Sequence, residues 1–154
     1  LRDAGVSAAG IAEALDQKKK DVRVLALLDT LEYLKRGGRI SKTAALAGNL
    51  LSIKPVITIV DGEVAVLGKA RGSKNGCNML REEIAKCNGI DFSMPICLGY
   101  TGLEDSLLQK YIEDNTDLWK SYVEELPISS IGSTIGTHTG PGGICVAFFS
   151  KTTS

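Results

Sequence analysis

This sequence of 154 residues carries no formal net charge, because 18 Lys and Arg balance 18 Asp and Glu. A nucleic-acid binder needs a clustered excess of cations to displace counterions from phosphates. The densest basic run, at 18–20, is typical of a solvated helix end. No apolar run approaches the roughly 18 residues that a membrane-spanning helix needs. We therefore expect no nucleic-acid partner and no membrane span.

Cysteine is sparse and widely spaced. Cys77, Cys87, Cys97 and Cys145 stand too far apart for a C-x-x-C metal or redox motif. They occur in apolar patterns, where cysteine behaves as a small hydrophobic residue. Neither a signal peptide nor disulfide-like spacing is present, so we predict a reducing, cytoplasmic compartment and no metal or cofactor site.

Familiar catalytic motifs are missing as well. The sequence holds no G-x-x-x-x-G-K-[ST] loop, no G-x-G-x-x-G at the start of a helix and no G-x-S-x-G elbow. A histidine pair for zinc is excluded because the chain has one histidine. Nucleotide binding is therefore poorly supported, a hydrolytic enzyme lacks a nucleophile, and we assign no catalytic residue.

What is present is the composition of a globular domain, with 44% hydrophobic and 23% charged residues. The clearest local pattern is a β-hairpin, because apolar runs at 56–60 and 63–67 are joined by Asp61-Gly62, a dipeptide suited to a two-residue turn. Strand-like and helix-like segments alternate along the chain. This predicts an α/β fold with a mixed sheet that includes one antiparallel hairpin and has flanking helices.

Capping and apolar patterns place the remaining elements. Ser7 is positioned to cap a first helix, and 29–32 and 101–104 have the form of capping boxes. Ser41 and Ser73 are positioned to begin two more helices. Runs of strand-forming residues predict further strands at 22–28, 95–100, 122–126, 133–136 and 144–149.

The single histidine, His138, lies in a glycine-rich segment at 135–143 that we expect to be a loop between two strands. Imidazole titrates near neutrality, and Thr137 and Thr139 add hydroxyl donors. Glycine N–H groups in such a loop can bind an anionic group. The alternative is a hairpin-like connection in which glycine and proline serve the turn alone.

Arg39 lies in a second glycine-containing segment, at 35–41, which is predicted to connect two helices. A guanidinium stays charged and can bind a carboxylate or phosphate through two parallel hydrogen bonds. It can equally cap the carbonyls at the end of the preceding helix. Arg71, after the hairpin, has the pattern of a solvated surface charge unless a partner docks there.

Four segments, in order along the chain, resemble the DegV family, the bacterial fatty-acid-binding subunits of fatty acid kinase. The resemblance runs from the first residues to about Lys151. It implies that 1–154 form the C-terminal α/β domain of a two-domain DegV-like fold, whose N-terminal domain, with part of the head-group site, this chain lacks. The segments are 28–41 with Gly-Gly-Arg-Ile-Ser, 51–56, Asp61-Gly62 with Lys69-Ala70-Arg71-Gly72, and 135–142 with Thr-His-Thr-Gly-Pro-Gly.

The resemblance also implies a function. A DegV-like protein is not itself an enzyme, because it holds a long-chain fatty acid in a buried tunnel and a separate kinase subunit phosphorylates the carboxylate for phospholipid synthesis. On this basis we expect Arg71 to face the kinase, and Arg39, Thr137, His138 and Thr139 to bind the head group. Core packing explains the expected acyl-chain walls equally well; these walls are Leu46, Leu50, Leu51, Ile53 and Ile57.

Two alternatives stay open. In one, the chain is an enzyme that acts on a phosphorylated or carboxylated metabolite, with His138 as the general base. In the other, it is a scaffold or dimerisation module.

Overall fold

The computed structural model describes residues 1–40 and 53–151. Short 3-10 turns at Arg2–Ala4 and Lys19–Asp21 flank the first helix. The helices are α1 (Ala8–Lys18), α2 (Glu32–Arg36), α3 (Gly72–Lys86), α4 (Ser106–Asp114), α5 (Thr116–Trp119) and α6 (Ser133–Thr139). The strands are β1 (Val22–Leu27), β2 (Ile53–Val60), β3 (Glu63–Arg71), β4 (Cys97–Tyr100), β5 (Ile128–Ser130) and β6 (Ile144–Phe149).

The described strands form one six-stranded sheet in the order β3-β2-β1-β6-β4-β5. The pair β4 and β5 is parallel, and the other neighbouring pairs are antiparallel. The hairpin turn between β2 and β3 has Asp61 at φ 52° and Gly62 at φ 83°, the two positive values that a type I′ turn needs. The predicted mixed sheet and hairpin are therefore confirmed.

The two faces of the sheet are covered by different elements. Leu25 and Leu27 of β1 belong to a large cluster with α3 and α4, whereas Ala26 of β1 and Leu28, which follows the strand, belong to a smaller cluster with Leu34 of α2. Because successive side chains of a strand alternate between faces, the second half of β1 is buried on both sides, which is typical of a continuous apolar run. The face beneath α3 and α4 is the main core. The opposite face, beneath α2 and α6, carries the cavity described below.

Helix starts show where local patterns decide the structure and where they do not. Ser7 caps α1 as predicted, since its Oγ accepts from the N–H of Gly10 at 3.2 Å. The predicted cap at Asp29 is wrong. The N-cap of α2 is Leu31, and Asp29 instead forms an ion pair with Lys54 of β2. This carboxylate pairs with a residue that is distant in sequence and does not cap the helix.

The capping box predicted at 101–104 is wrong for a similar reason. The helix α4 starts later, at Ser106. Thr101 is buried, with 2% of its surface exposed, and its Oγ1 accepts from the N–H of Gly143 at 2.8 Å. The threonine therefore ties the end of β4 to the segment before β6.

Two predicted strands are also absent from the described structure. The segment at 122–126 is not a strand, and β5 begins only after Pro127. The segment at 133–136 is helical and belongs to α6, where Thr137 Oγ1 donates to the carbonyl of Ser133 at 2.7 Å. The helix predicted to begin at Ser41 lies outside the described residues.

Candidate functional site

A cavity of about 340 Å³ lies on the sheet face that α2 and α6 cover. This volume falls within the roughly 300–1,000 Å³ of small-molecule sites, which are mostly apolar with a few placed polar groups. Most of its described lining is apolar, so the cavity suits the hydrocarbon part of a ligand. The apolar lining includes Val24, Ala26, Leu28, Leu34, Ile57, Ile59, Val64, Ile131, Ile135, Ile144 and Cys145.

Arg39 and His138 line this cavity together, although they are far apart in the sequence. Both contact Gly37, the residue that ends α2. Arg39 Nη1 donates to the carbonyl of Gly37 at 2.9 Å. A Cβ atom on Gly37 would lie 2.7 Å from His138 Cε1, so the imidazole rests on the glycine backbone. The fold thus brings the fixed cation and the imidazole to one place.

The hydrogen bond from Arg39 is compatible with both predicted roles of this arginine, capping a helix end and binding a ligand. It caps a carbonyl at the end of α2, and it also lines the cavity. A guanidinium has five N–H donors, so one bond to Gly37 leaves others for a ligand.

His138 presents its two ring nitrogens differently. Nδ1 is buried and has no hydrogen-bond partner among the described residues. A neutral imidazole carries its proton on one nitrogen. Because Nδ1 lies against Gly37, Nε2 is the ring nitrogen left to meet a ligand, and it donates a hydrogen bond when it carries the proton.

The hydroxyls of the glycine-rich segment are already engaged. Thr139 lines the cavity, but its Oγ1 donates to the carbonyl of Ile135 at 3.1 Å. Thr137 is exposed, is bonded to Ser133, and does not line the cavity. The head-group roles of both threonines stay predictions.

The expectation that glycine N–H groups in this segment are open to an anion is wrong. Residues 135–139 are helical, and the N–H groups of Gly136 and Gly140 donate to carbonyls within α6 and its N-cap. Those of Gly142 and Gly143 donate to Thr101. Polar contact with a ligand therefore falls to side chains of the described lining, among which Arg39 and His138 carry nitrogen donors and Thr134 carries a hydroxyl.

The expected acyl-chain walls have different outcomes. Ile57 lines the cavity, whereas Ile53, at the start of β2, does not. Leu46, Leu50 and Leu51 lie outside the described residues. The strand residues Val24 and Ala26 were missed, although their alternation with Leu25 and Leu27 places them on one face.

Arg71 is exposed and lies outside the cavity lining. It ends β3 and precedes α3, and its carbonyl accepts from Asn75 Nδ2 at 2.9 Å. A kinase-facing role for Arg71 stays a prediction.

Cys145 contributes an uncharged wall to the cavity. Burial is the main cause that raises the pKa of its thiol, with a smaller contribution from Cys97, and the pKa reaches about 11. The group is therefore a neutral thiol near neutral pH. All four cysteines are free. Within residues 1–40 and 53–151, no cluster of His, Cys, Asp and Glu suited to a metal ion occurs, and no helix is long and apolar enough to cross a membrane.

A mixed sheet with a mostly apolar cavity over one face is typical of α/β small-molecule-binding proteins. The profile of the family described as "Uncharacterised protein, DegV family" matches residues 1–151. The chain therefore belongs to the DegV family, as the sequence motifs predicted. It is 35% identical over 155 residues to a DegV domain-containing protein of Clostridium perfringens, covering 99% of this chain and 52% of that protein. A relative from Caldanaerobacter subterraneus is 32% identical, with coverage of 96% and 51%.

Solved structures confirm the fold. The Fatty Acid Kinase (Fak) B3 protein of Streptococcus pneumoniae, loaded with linoleic acid, gives a TM-score of 0.83 at 22% identity, covering 98% of this chain and 52% of that one. A fatty-acid-binding DegV family protein of Thermus thermophilus gives 0.78 at 30% identity, with coverage of 98% and 53%. The chain thus spans about half the length of the relatives it matches. That residues 1–154 form one C-terminal domain stays a prediction.

Proposed function

We propose that this protein binds a long-chain fatty acid in the cavity and presents its carboxylate to a separate kinase. The observation that carries this proposal is a mostly apolar cavity of about 340 Å³ in which Arg39 and His138 meet at Gly37. An acyl chain fits the apolar strand face, and a carboxylate fits the two nitrogen donors.

Arg39 is exposed at the cavity, so a carboxylate beside it would be only partly removed from water. The polar end still matters, because a carboxylate that loses water costs free energy unless charge and hydrogen bonds compensate it. The guanidinium of Arg39 supplies a fixed positive charge and hydrogen bonds that are strengthened by charge. His138 Nε2 adds a second donor from another element. An alcohol of equal length would gain less from Arg39, so the site is expected to prefer the acid.

Binding explains His138 better than catalysis does. A general base is usually oriented by a further group, as in the Ser-His-Asp arrangement. In the described residues, no carboxylate forms a hydrogen bond or ion pair with His138. An imidazole whose Nδ1 rests on a glycine is suited to donate through Nε2 to a static ligand.

Two similar proteins support the proposed ligand and the proposed kinase partner. The similar Thermus thermophilus protein binds fatty acid, and the similar Streptococcus pneumoniae protein is named as part of fatty acid kinase. In our proposal the kinase binds ATP, and the carboxylate oxygen held here forms a bond to the γ-phosphorus while the bond from that phosphorus to the β–γ bridging oxygen breaks. The products are an acyl phosphate and ADP.

The binding test uses the delipidated chain and displacement of a fluorescent fatty acid by palmitic acid. Arg39→Ala and His138→Ala are each expected to lower the affinity for palmitic acid by about tenfold or more, since each removes a hydrogen bond to a charged group. Lys35→Ala is the control, because Lys35 is exposed on α2 and outside the cavity lining. Unchanged affinity in both site variants would remove the proposed site.

The kinase step is tested separately. The loaded protein is mixed with a bacterial fatty acid kinase catalytic subunit and ATP, and acyl phosphate is trapped with hydroxylamine as the hydroxamate. Kinase-dependent hydroxamate supports the proposal. Turnover without the kinase would instead support an enzyme.

A further inference from the structure

Two contacts between an aromatic ring and a glycine join α2 to α6. The ring of His138 lies on Gly37, and the ring of Tyr33 lies on Gly140. A Cβ atom on Gly140 would lie 2.5 Å from Tyr33 Cε2, and one on Gly37 would lie 2.7 Å from His138 Cε1. Each segment therefore supplies one ring and one glycine.

Sequence spacing makes the contacts reciprocal. Tyr33 and Gly37 are four residues apart and so lie on one face of the turn that α2 forms. His138 is near the end of α6, and Gly140 follows it at φ 74°, which ends the helix. Gly37 has an ordinary φ of −76°, so its backbone conformation does not require glycine. The close approach of the imidazole does.

Tyr33 takes part in this packing without touching the cavity. It is absent from the cavity lining, and 38% of its surface is exposed. Its hydroxyl forms no hydrogen bond with the described residues. The structural contribution of Tyr33 is thus the packing of its ring against Gly140.

We propose that Tyr33 is a positioning residue for His138. Its ring holds Gly140 and the end of α6 against α2, which keeps the imidazole on Gly37 and Nε2 directed to the cavity beside Arg39. Because this role rests on the proposed fatty-acid function, its clearest effect is on recognition of the carboxylate and not on burial of the acyl chain.

The test compares two ligands that differ at the head group, palmitic acid and 1-hexadecanol. In Tyr33→Ala, affinity for the acid is expected to fall about tenfold while affinity for the alcohol stays within about twofold, since the lost interaction involves only the charged group. Tyr33→Phe keeps the ring and is expected to match wild type. An equal loss for both ligands in Tyr33→Ala would show a merely structural role and overturn the inference.

Gly37→Ala tests the contact between Gly37 and the ring of His138 directly. The added methyl overlaps the imidazole, so the preference for acid over alcohol is expected to fall as in Tyr33→Ala. Gly136→Ala is the matched control, because a Cβ atom there meets no atom within 4 Å and the residue lies on the same helix as His138. A wild-type acid preference in Gly37→Ala would contradict the proposed contact.

The single histidine gives a readout that does not depend on ligand. Its imidazole resonances are assigned without ambiguity, and Tyr33→Ala and Gly37→Ala are expected to shift them, whereas Tyr33→Phe and Gly136→Ala leave them in place. Unshifted resonances in a folded Tyr33→Ala protein would overturn the role of Tyr33. If wild type binds palmitic acid no better than 1-hexadecanol, the proposed head-group site and this inference both fail. If wild type prefers the acid and Tyr33→Ala and Gly37→Ala keep that preference, this inference alone fails.

Discussion

The two faces of the sheet both carry apolar side chains, but different elements pack on them. Beneath α3 and α4, Leu25, Leu27 and Leu80 are at most 1% exposed and form the closed core. On the other face, Ile59 and Ile135 line the cavity and are 46% and 56% exposed. Among the described elements, a long amphipathic helix closes the first face, whereas the short helices α2 and α6 leave space on the second. The covering elements therefore decide which face is core and which is site.

The largest expected effect comes from the closed face. Leu80→Ala removes a fully buried side chain of α3 and is expected to lower the free energy of unfolding by about 2–5 kcal/mol. Urea unfolding measures this loss. Palmitic acid affinity of the folded protein is expected to stay at the wild-type value. A specific loss of binding in the folded variant would show that the two faces are not separate in function.

Thr101→Val tests the connection at the end of the cavity. The N–H of Gly143 loses the Oγ1 acceptor of Thr101 in a buried position, so the free energy of unfolding is expected to fall by about 1–3 kcal/mol. Thr101→Ser keeps the hydroxyl and is the control. Equal stability of the valine and serine variants would mean that this hydrogen bond contributes little.

Val24→Phe fills the cavity from the floor of the sheet. Palmitic acid affinity is expected to fall at least about tenfold, which corresponds to 1.4 kcal/mol, while the melting temperature changes little because the ring enters existing space. Leu67→Phe, at an exposed β3 position outside the cavity lining, is the matched control. If Val24→Phe binds palmitic acid with wild-type affinity, the ligand does not occupy this cavity.

The smallest expected effect is on thiol chemistry. Burial raises the pKa of Cys145 to about 11, so its reaction with a maleimide is expected to accelerate as the pH rises toward that value. Bound palmitic acid is expected to slow the reaction a few-fold, because Cys145 lines the cavity. Peptide mass mapping separates it from Cys77, which the closed face buries. Protection of Cys77 alone would contradict the assignment of faces.

Local chemistry made part of the fold predictable. Asp61-Gly62 specifies a turn with two positive φ values, and Ser7 caps its own helix, so neither depends on distant residues. The first part of α6, at 133–136, is predicted as a strand because it is rich in strand-forming residues, and the rest of α6 is predicted as part of a loop. Its helical form accompanies packing of His138 and Gly140 against α2, which a local pattern does not contain.

The sequence singles out the two nitrogen-bearing side chains that line the cavity, whereas their head-group role stays a prediction. Arg39 and His138 stand out by residue type, by glycine-rich surroundings and by resemblance to a family. The apolar half of the site was not predictable, since Val24 and Ile59 are ordinary strand residues whose face depends on sheet pairing. Capping at Asp29 and Thr101 failed because Lys54 and Gly143 are distant in sequence.

The most direct test of the central claim is a crystal structure of the chain with a terminally brominated palmitic acid, in which anomalous scattering locates the bromine. We expect the carboxylate within hydrogen-bond distance of Arg39 and His138 Nε2, with the acyl chain along Val24, Ala26 and Ile57. A ligand on the opposite face, between α3 and α4, or a chain that enters the cavity with its carboxylate away from Arg39, would contradict the account.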